Sequence, residues 1–249
     1  MRMALGILIA LHGVIHLMGF VKAFGLAEME GLSQPVSRTA GVFWLVACTL
    51  LVFSAVLCFL ESPYWFWPAF AGLVVSQFLI VTAWSDARFG TLANLIILVA
   101  ALVASADAAF QEQVRRERTD LLGAARPPTG EVLAEGHLLH LPPAVQRWVT
   151  RSGALGKPAV STVRLQQELQ LKLKPGQESW NPGRAEQVFT VDPPGFVWNI
   201  QTEMNAFLPV TGRDRYVRGK GEMTIELLSL IPVARASGDP KVDRATLQR

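Results

Sequence analysis

Two histidines four residues apart, His12 and His16 in LHGVIHL, are the first residues whose type and spacing invite chemistry. A separation of four puts both on one helix face. Imidazoles in an apolar helix can bind a metal, hold haem or relay protons. Two on one face of one helix cannot ligate both sides of a haem, and no other apolar run contains a histidine. Zinc would need further ligands, and no carboxylate lies at that depth. The plainer use, hydrogen bonding between helices, is the expected one. Gln77 lies at the matching depth of a parallel run, so a His16–Gln77 hydrogen bond is expected, with Ser76 nearby.

The densest charged chemistry is RDRYVRGKGEM, with Arg213, Arg215, Arg218 and Lys220. Read as one strand, Arg213 and Arg215 point one way and Arg218 and Lys220 the other. Such a cluster suits a phosphate or carboxylate ligand. It equally suits an edge strand kept soluble by charge. G-K-G here is no phosphate loop, because no G-x-x-x-x-G-K-[ST] and no following helix accompany it. His137 and His140 lack the cysteines or acids that a metal site would add, and their spacing fits neighbours on a helix. The chain contains neither G-x-S-x-G nor HExxH. No acid–base or nucleophile constellation stands out, so no catalytic residue is assigned, no cofactor and no metal are expected, and a non-enzyme is favoured.

The elements that must position these residues divide into an apolar half and a polar half. Hydrophobic residues make up 51% of the 249 residues and charged residues only 17%, with mean hydropathy +0.31. That charge deficit excludes disorder as the main state and argues for membrane spans. Residues 1–110 hold 4 Lys/Arg and 5 Asp/Glu, and residues 111–249 hold 19 and 15. The net charge of +3 is no nucleic-acid signature. Cys48 and Cys58 both lie in one apolar run and form no disulfide framework.

Four apolar runs, about residues 4–24, 41–60, 64–84 and 91–110, each match the ~20 residues that a membrane crossing needs. The first is too long for a signal peptide and lacks an A-x-A cleavage pattern. Tyr64, Trp65, Trp67 and Trp84 flank the third as interfacial anchors. Gly6, Gly13, Gly19 and Gly72 suit close helix approach. Asp107 falls near the end of the fourth run and is expected at the interface; Asp86 and Arg88 are expected to pair in a turn, and Asn94 to cap or pack. With four spans, Arg2, Arg115, Arg116, Arg118 and Arg126 share one side, against Lys22, Arg38 and Arg88 on the other. That count favours the inner membrane with both termini cytoplasmic.

The fourth run is expected to continue as a helix through QEQVRRERTD, beside the headgroups, until ARPPTGE breaks it. Pro142 and Pro143 open a short helix with Ala144, Val145, Trp148 and Val149 as its apolar face. From Ser161 the period becomes two, and Val163, Leu165, Gln167, Leu169, Leu171 and Leu173 form one strand face. KPGQ and DPPG are turns. RAEQVFTVD and FVWNIQTEM are further strands, and the remainder supplies about two more before a helix starts at Asp243. The fold class is therefore α+β: a four-helix transmembrane bundle followed by an antiparallel β-meander with short flanking helices. The organisation expected is 1–114 for the spans, 115–143 for a juxtamembrane helix and Pro-rich linker, and 144–249 for the β-rich domain.

HGVIHLMGFVKAFGL, DARFGTLANLIIL, LPPAVQRWVTRSGALGKP, DPPGFVWN and RDRYVRGKGEM together carry a resemblance. The chain resembles a group of uncharacterised bacterial multi-pass membrane proteins, a domain family of unknown function. The resemblance implies the same architecture, continuing past RATLQR with further strands, so an incomplete sheet is expected. It implies no activity. The readings that follow are a membrane-anchored module binding lipid or another apolar or anionic ligand, an envelope scaffold recruiting a protein, and an ion-handling or metal-dependent enzyme using His12 and His16. Membrane lipid is the expected partner, and nucleic acid is not one.

Overall fold

The computed structural model describes residues 2–204 and 208–247. It divides into two compact units, Met1–Ala109 and Phe110–Arg249.

In the first unit, α1 (Arg2–Ile15) and α2 (Leu17–Ala23) form one apolar helix with an irregular turn at His16. There the amide bonds the carbonyl three residues back, on Gly13, at 3.1 Å, while the ring takes the His12 carbonyl at 2.8 Å. A side chain competing for a backbone carbonyl is a recognised cause of local irregularity. α3 (Arg38–Phe59) starts where the Ser37 hydroxyl accepts the Ala40 amide. α4 (Phe66–Thr82) and the single turn α5 (Trp84–Ala87) precede the long α6 (Gly90–Ala124). Ile9, Leu51, Ala55, Phe66, Leu73 and Ile97 meet in the core. Glycines allow the close packing: a Cβ at Gly13 would sit 3.0 Å from that of Leu51, and one at Gly19 would fall 2.2 Å from the Trp44 ring.

Among the described residues three helices, Arg2–Ala23, Arg38–Phe59 and Gly90–Ala124, are long and apolar enough to cross a membrane. The third expected run is shorter than its hydropathy suggested. It yields 17 helical residues, about 25 Å at ~1.5 Å each. Its aromatic lead-in 64–65 lies outside the helix, and Ala83, at φ −114°, breaks it from α5.

The second unit begins with the last part of α6, from Phe110 onward. α7 (Pro143–Arg151) has proline at its first position, where no amide is missed. Six strands follow: β1 (Thr162–Leu171), β2 (Asn181–Thr190), β3 (Gly195–Glu203), β4 (Pro209–Val217), β5 (Lys220–Leu227) and β6 (Ile231–Ser237), then α8 (Pro240–Leu247). They form one antiparallel sheet in chain order, a meander as expected, with one strand more than the pattern had counted.

The β4–β5 connection revises the reading of RDRYVRGKGEM. Arg218 (φ 52°) and Gly219 (φ 80°) make a two-residue hairpin turn of the kind that needs two left-handed residues. Lys220 therefore pairs with Val217 and falls on the same sheet face as Arg213 and Arg215, where a single-strand reading had put it opposite. The turn flips the alternation, and Arg218 stands exposed within it.

One sheet face packs on α6. Val114 and Leu121 bury against Val188 and Val197, with Val217 beside them. The other carries the aromatics: Phe189, Phe196 and Tyr216 lie in register across β2, β3 and β4, with ring centroids 5.9 and 6.5 Å apart.

Candidate functional site

His12 of α1 and His16 at the α1–α2 turn sit at the centre of a connected polar network that also takes in α4 and α6. His16 donates through Nδ1 to its own helix, because a carbonyl can only accept. Its Nε2 then accepts from Ser76 Oγ at 2.9 Å. His12 Nε2 donates to Asn94 Oδ1 at 2.7 Å, Asn94 Nδ2 donates to Gln77 Oε1 at 3.0 Å, and Gln77 Nε2 donates to Thr91 Oγ1 at 3.2 Å. With neutral rings this one assignment serves each of those links. Ser76 Oγ also lies 3.1 Å from Asn94 Oδ1, but its single proton goes to His16. His12, His16, Ser76 and Asn94 are all buried.

The direct His16–Gln77 bond is replaced by this longer chain. Depth matching was right to place Gln77 in the network, but adjacent residues on a helix point about 100° apart. Ser76 therefore meets His16, and Gln77 turns to Thr91 and Asn94 on α6. Asn94, assigned only a capping or packing role from sequence, bonds His12 and Gln77 and touches Ser76. Its signal was a carboxamide within an otherwise apolar run.

Asp86 does not pair with Arg88. Its carboxylate accepts from the Ser33 hydroxyl at 2.8 Å, the Ser33 amide at 2.7 Å and the Gln34 amide at 3.4 Å. The Ser33 hydroxyl bond is the largest influence holding this acid below the usual carboxylate range. Arg88 lies over the Phe89 ring, 5.1 Å from its centroid.

In the second unit the basic cluster is largely occupied by partners of its own chain. Arg213, 5% exposed, grips Glu117 of α6 with Nη1 and Glu222 of β5 with Nη2, the latter at 2.8 Å. Arg215 reaches the same two carboxylates at 3.8 and 3.6 Å. Arg118 of α6 binds Glu186 and Asn199 on β2 and β3. The cluster fastens α6 to the sheet. What sequence reasoning missed was its acids, because Glu117 and Arg213 stand 96 residues apart.

Lys220 pairs with Asp243 of α8 at 3.1 Å, and the same carboxylate takes the Gly221 amide at 2.8 Å. α8 comes so close that a Cβ on Gly221 would meet Thr246 Oγ1 at 2.0 Å. The Gly221 amide, with Lys220 second, lowers the Asp243 pKa. A depressed folded pKa contributes stability that is complete above the unfolded value, ~3.9, and disappears as pH falls through the folded one. Exchange protection of the Gly221 amide should therefore hold from neutral pH down into the ordinary carboxylate range and fall only below it. In Asp243→Asn it should be reduced at neutral pH and converge on the parent only where the parent's carboxyl is protonated; unchanged protection at neutral pH would remove Asp243 from the docking of α8.

The aromatic face of the sheet is the remaining candidate. Its centre is buried, but towards β1 it opens, with Val163 36% and Leu165 39% exposed. The alternation had predicted a buried face for β1, and this edge strand has less cover than the pattern implied. Beside it Trp198 Nε1 donates to Gln167 Oε1 at 3.1 Å, while the Nε2 of buried Gln187 has no partner among the described residues.

Residues 139–249, from just before α7 through the sheet and α8, match the model of a family of unknown function (DUF6920). No curated protein and no solved structure is similar to the chain.

Proposed function

We propose that this chain is a multi-pass protein of the cell (inner) membrane whose β-rich domain binds lipid or another apolar ligand and performs no catalysis. The membrane reading draws on the three long apolar helices, with α4 as a short fourth span. It draws also on their bare outer surfaces, where Phe53, Val74, Phe78 and Leu95 are exposed. Contiguous apolar surface of that kind is rare on a protein surrounded by water. The arginine count favours both termini in the cytoplasm, and a reporter fused after residue 125 that is active only there tests it.

The observation that carries the binding reading is the open apolar face at β1, continuous with the aromatic row of β2 to β4. The arginines add little to a ligand site, since Arg213 and Arg215 already face Glu117 and Glu222. The ligand chemistry is therefore apolar before it is anionic.

The test is lipid analysis by mass spectrometry of the purified chain beside a Leu165→Lys variant. Lipid bound to the spans is common to both proteins, so the difference reports the sheet. A lipid class retained by the parent and depleted in the variant is expected. Identical lipid content would overturn the reading and favour a scaffold that recruits a protein partner.

A further inference from the structure

α7 is amphipathic and has no buried residue. Trp148 is 70% exposed, and Leu139, three residues before Pro142, is 78% exposed. Ala144, Val145, Trp148 and Val149 occupy one arc of the helix by its 100° step, and Arg151 borders that arc. Between Glu135 and Glu168 the chain contains no acid, but it carries Arg147, Arg151, Lys157 and Arg164. Elsewhere in this unit several cations are matched by acids, as Arg213 is by Glu117 and Glu222 and Arg126 is by Asp192. Here no ion pair engages Arg147, Arg151 or Lys157 among the described residues.

We propose that α7 is a membrane-surface element, seating Trp148 and Val145 at the headgroup boundary of a bilayer that contains anionic phospholipid. A short helix with an aromatic apolar face and a basic flank has the chemistry of an interfacial anchor. Anionic headgroups supply the negative charge that residues 136–167 lack. Trp suits that depth, its ring in the apolar layer and its N–H towards water. The proposal rests on the reading that the apolar helices span a bilayer, and it adds a second contact with the same membrane.

The test uses the full chain in nanodiscs, with Cys48 and Cys58 replaced by Ala and one spin label at Val145→Cys or at Phe53→Cys on α3. Discs of phosphatidylcholine alone are compared with discs containing phosphatidylglycerol. Accessibility to oxygen reports lipid, and accessibility to a water-soluble nickel chelate reports solvent. At position 145 oxygen should dominate in the anionic discs, and the preference should shift at least about tenfold towards the chelate in Arg147→Glu/Arg151→Glu. A label at 145 open to water in both lipids overturns the proposal, as does one shielded from both reagents, which would mean a protein covers the helix. Indifference to the charge reversal overturns the role of anionic lipid. The label at position 53 separates the two failures, because its exposure to the chelate would overturn the spanning reading itself.

Discussion

Arg213→Met is expected to destabilise the β-rich unit by about 3–5 kcal/mol, the usual cost of leaving a buried charge without its partner. The side chain stranded is Glu117, 12% exposed, which would keep the neutral donor Gln113 Nε2 at 3.0 Å and, as its nearest cation, Arg215 at 3.8 Å. The same physics predicts recovery in the double variant Arg213→Met/Glu117→Leu. Removing both charges removes the desolvation cost along with the attraction, and such replacements are often neutral. The network is not fully satisfied to begin with, since Glu117 Oε2 and Arg213 Nε have no hydrogen-bond partner among the described residues. Denaturant unfolding of the purified chain, followed by its β-sheet dichroism, measures both variants. A single variant within about 1 kcal/mol of the parent, the level of an exposed ion pair, would mean that the cluster does not fasten α6 to the sheet.

Asn94→Leu is expected to have the largest effect in the first unit. It deletes the acceptor of His12 and the donor to Gln77, while keeping the side-chain size. Hydrogen bonds between helices in a bilayer average ~0.6 kcal/mol, so two give about 1 kcal/mol. Stranded buried groups raise that, at ~1–3 kcal/mol each where nothing else receives them. Gln77→Leu should cost less, because Gln77 is at the edge of the network and only half-buried. Unfolding in mixed micelles gives the ranking. If the two variants prove equal, Asn94 is not the centre of the network.

The long-range logic of the fold was hidden from the sequence for a reason that these two sites share. Hydropathy over about 20 residues is a local quantity, so α1 to α3 and α6 were legible, and so were the alternating strands β1 and β3. The faces were less so. Ser76 and Gln77 are neighbours in the chain and differ only in which helix they meet, which depends on the rotation of α4 in the bundle. Lys220 changed face because two left-handed residues turned the chain, and Arg218 is not the residue type that announces such a turn. Arg213 and its acids look like separate surface charges until α6 lies on the sheet. Binding residues suffered most, because a cation read alone carries no record of whether the fold already supplies its anion.

The strand order of the sheet has a kinetic meaning. Every pairing from β1 to β6 joins chain neighbours, and β4 meets β5 across only Arg218 and Gly219. Such pairings close small loops, and small loops lose little chain entropy before contacts compensate it. The links from α6 are different: they bridge 68 residues to Glu186, 81 to Asn199 and 96 to Arg213. The largest single loop closure among these contacts is that docking step. The meander can thus assemble hairpin by hairpin from local contacts, whereas its attachment to α6 requires the long-range ones.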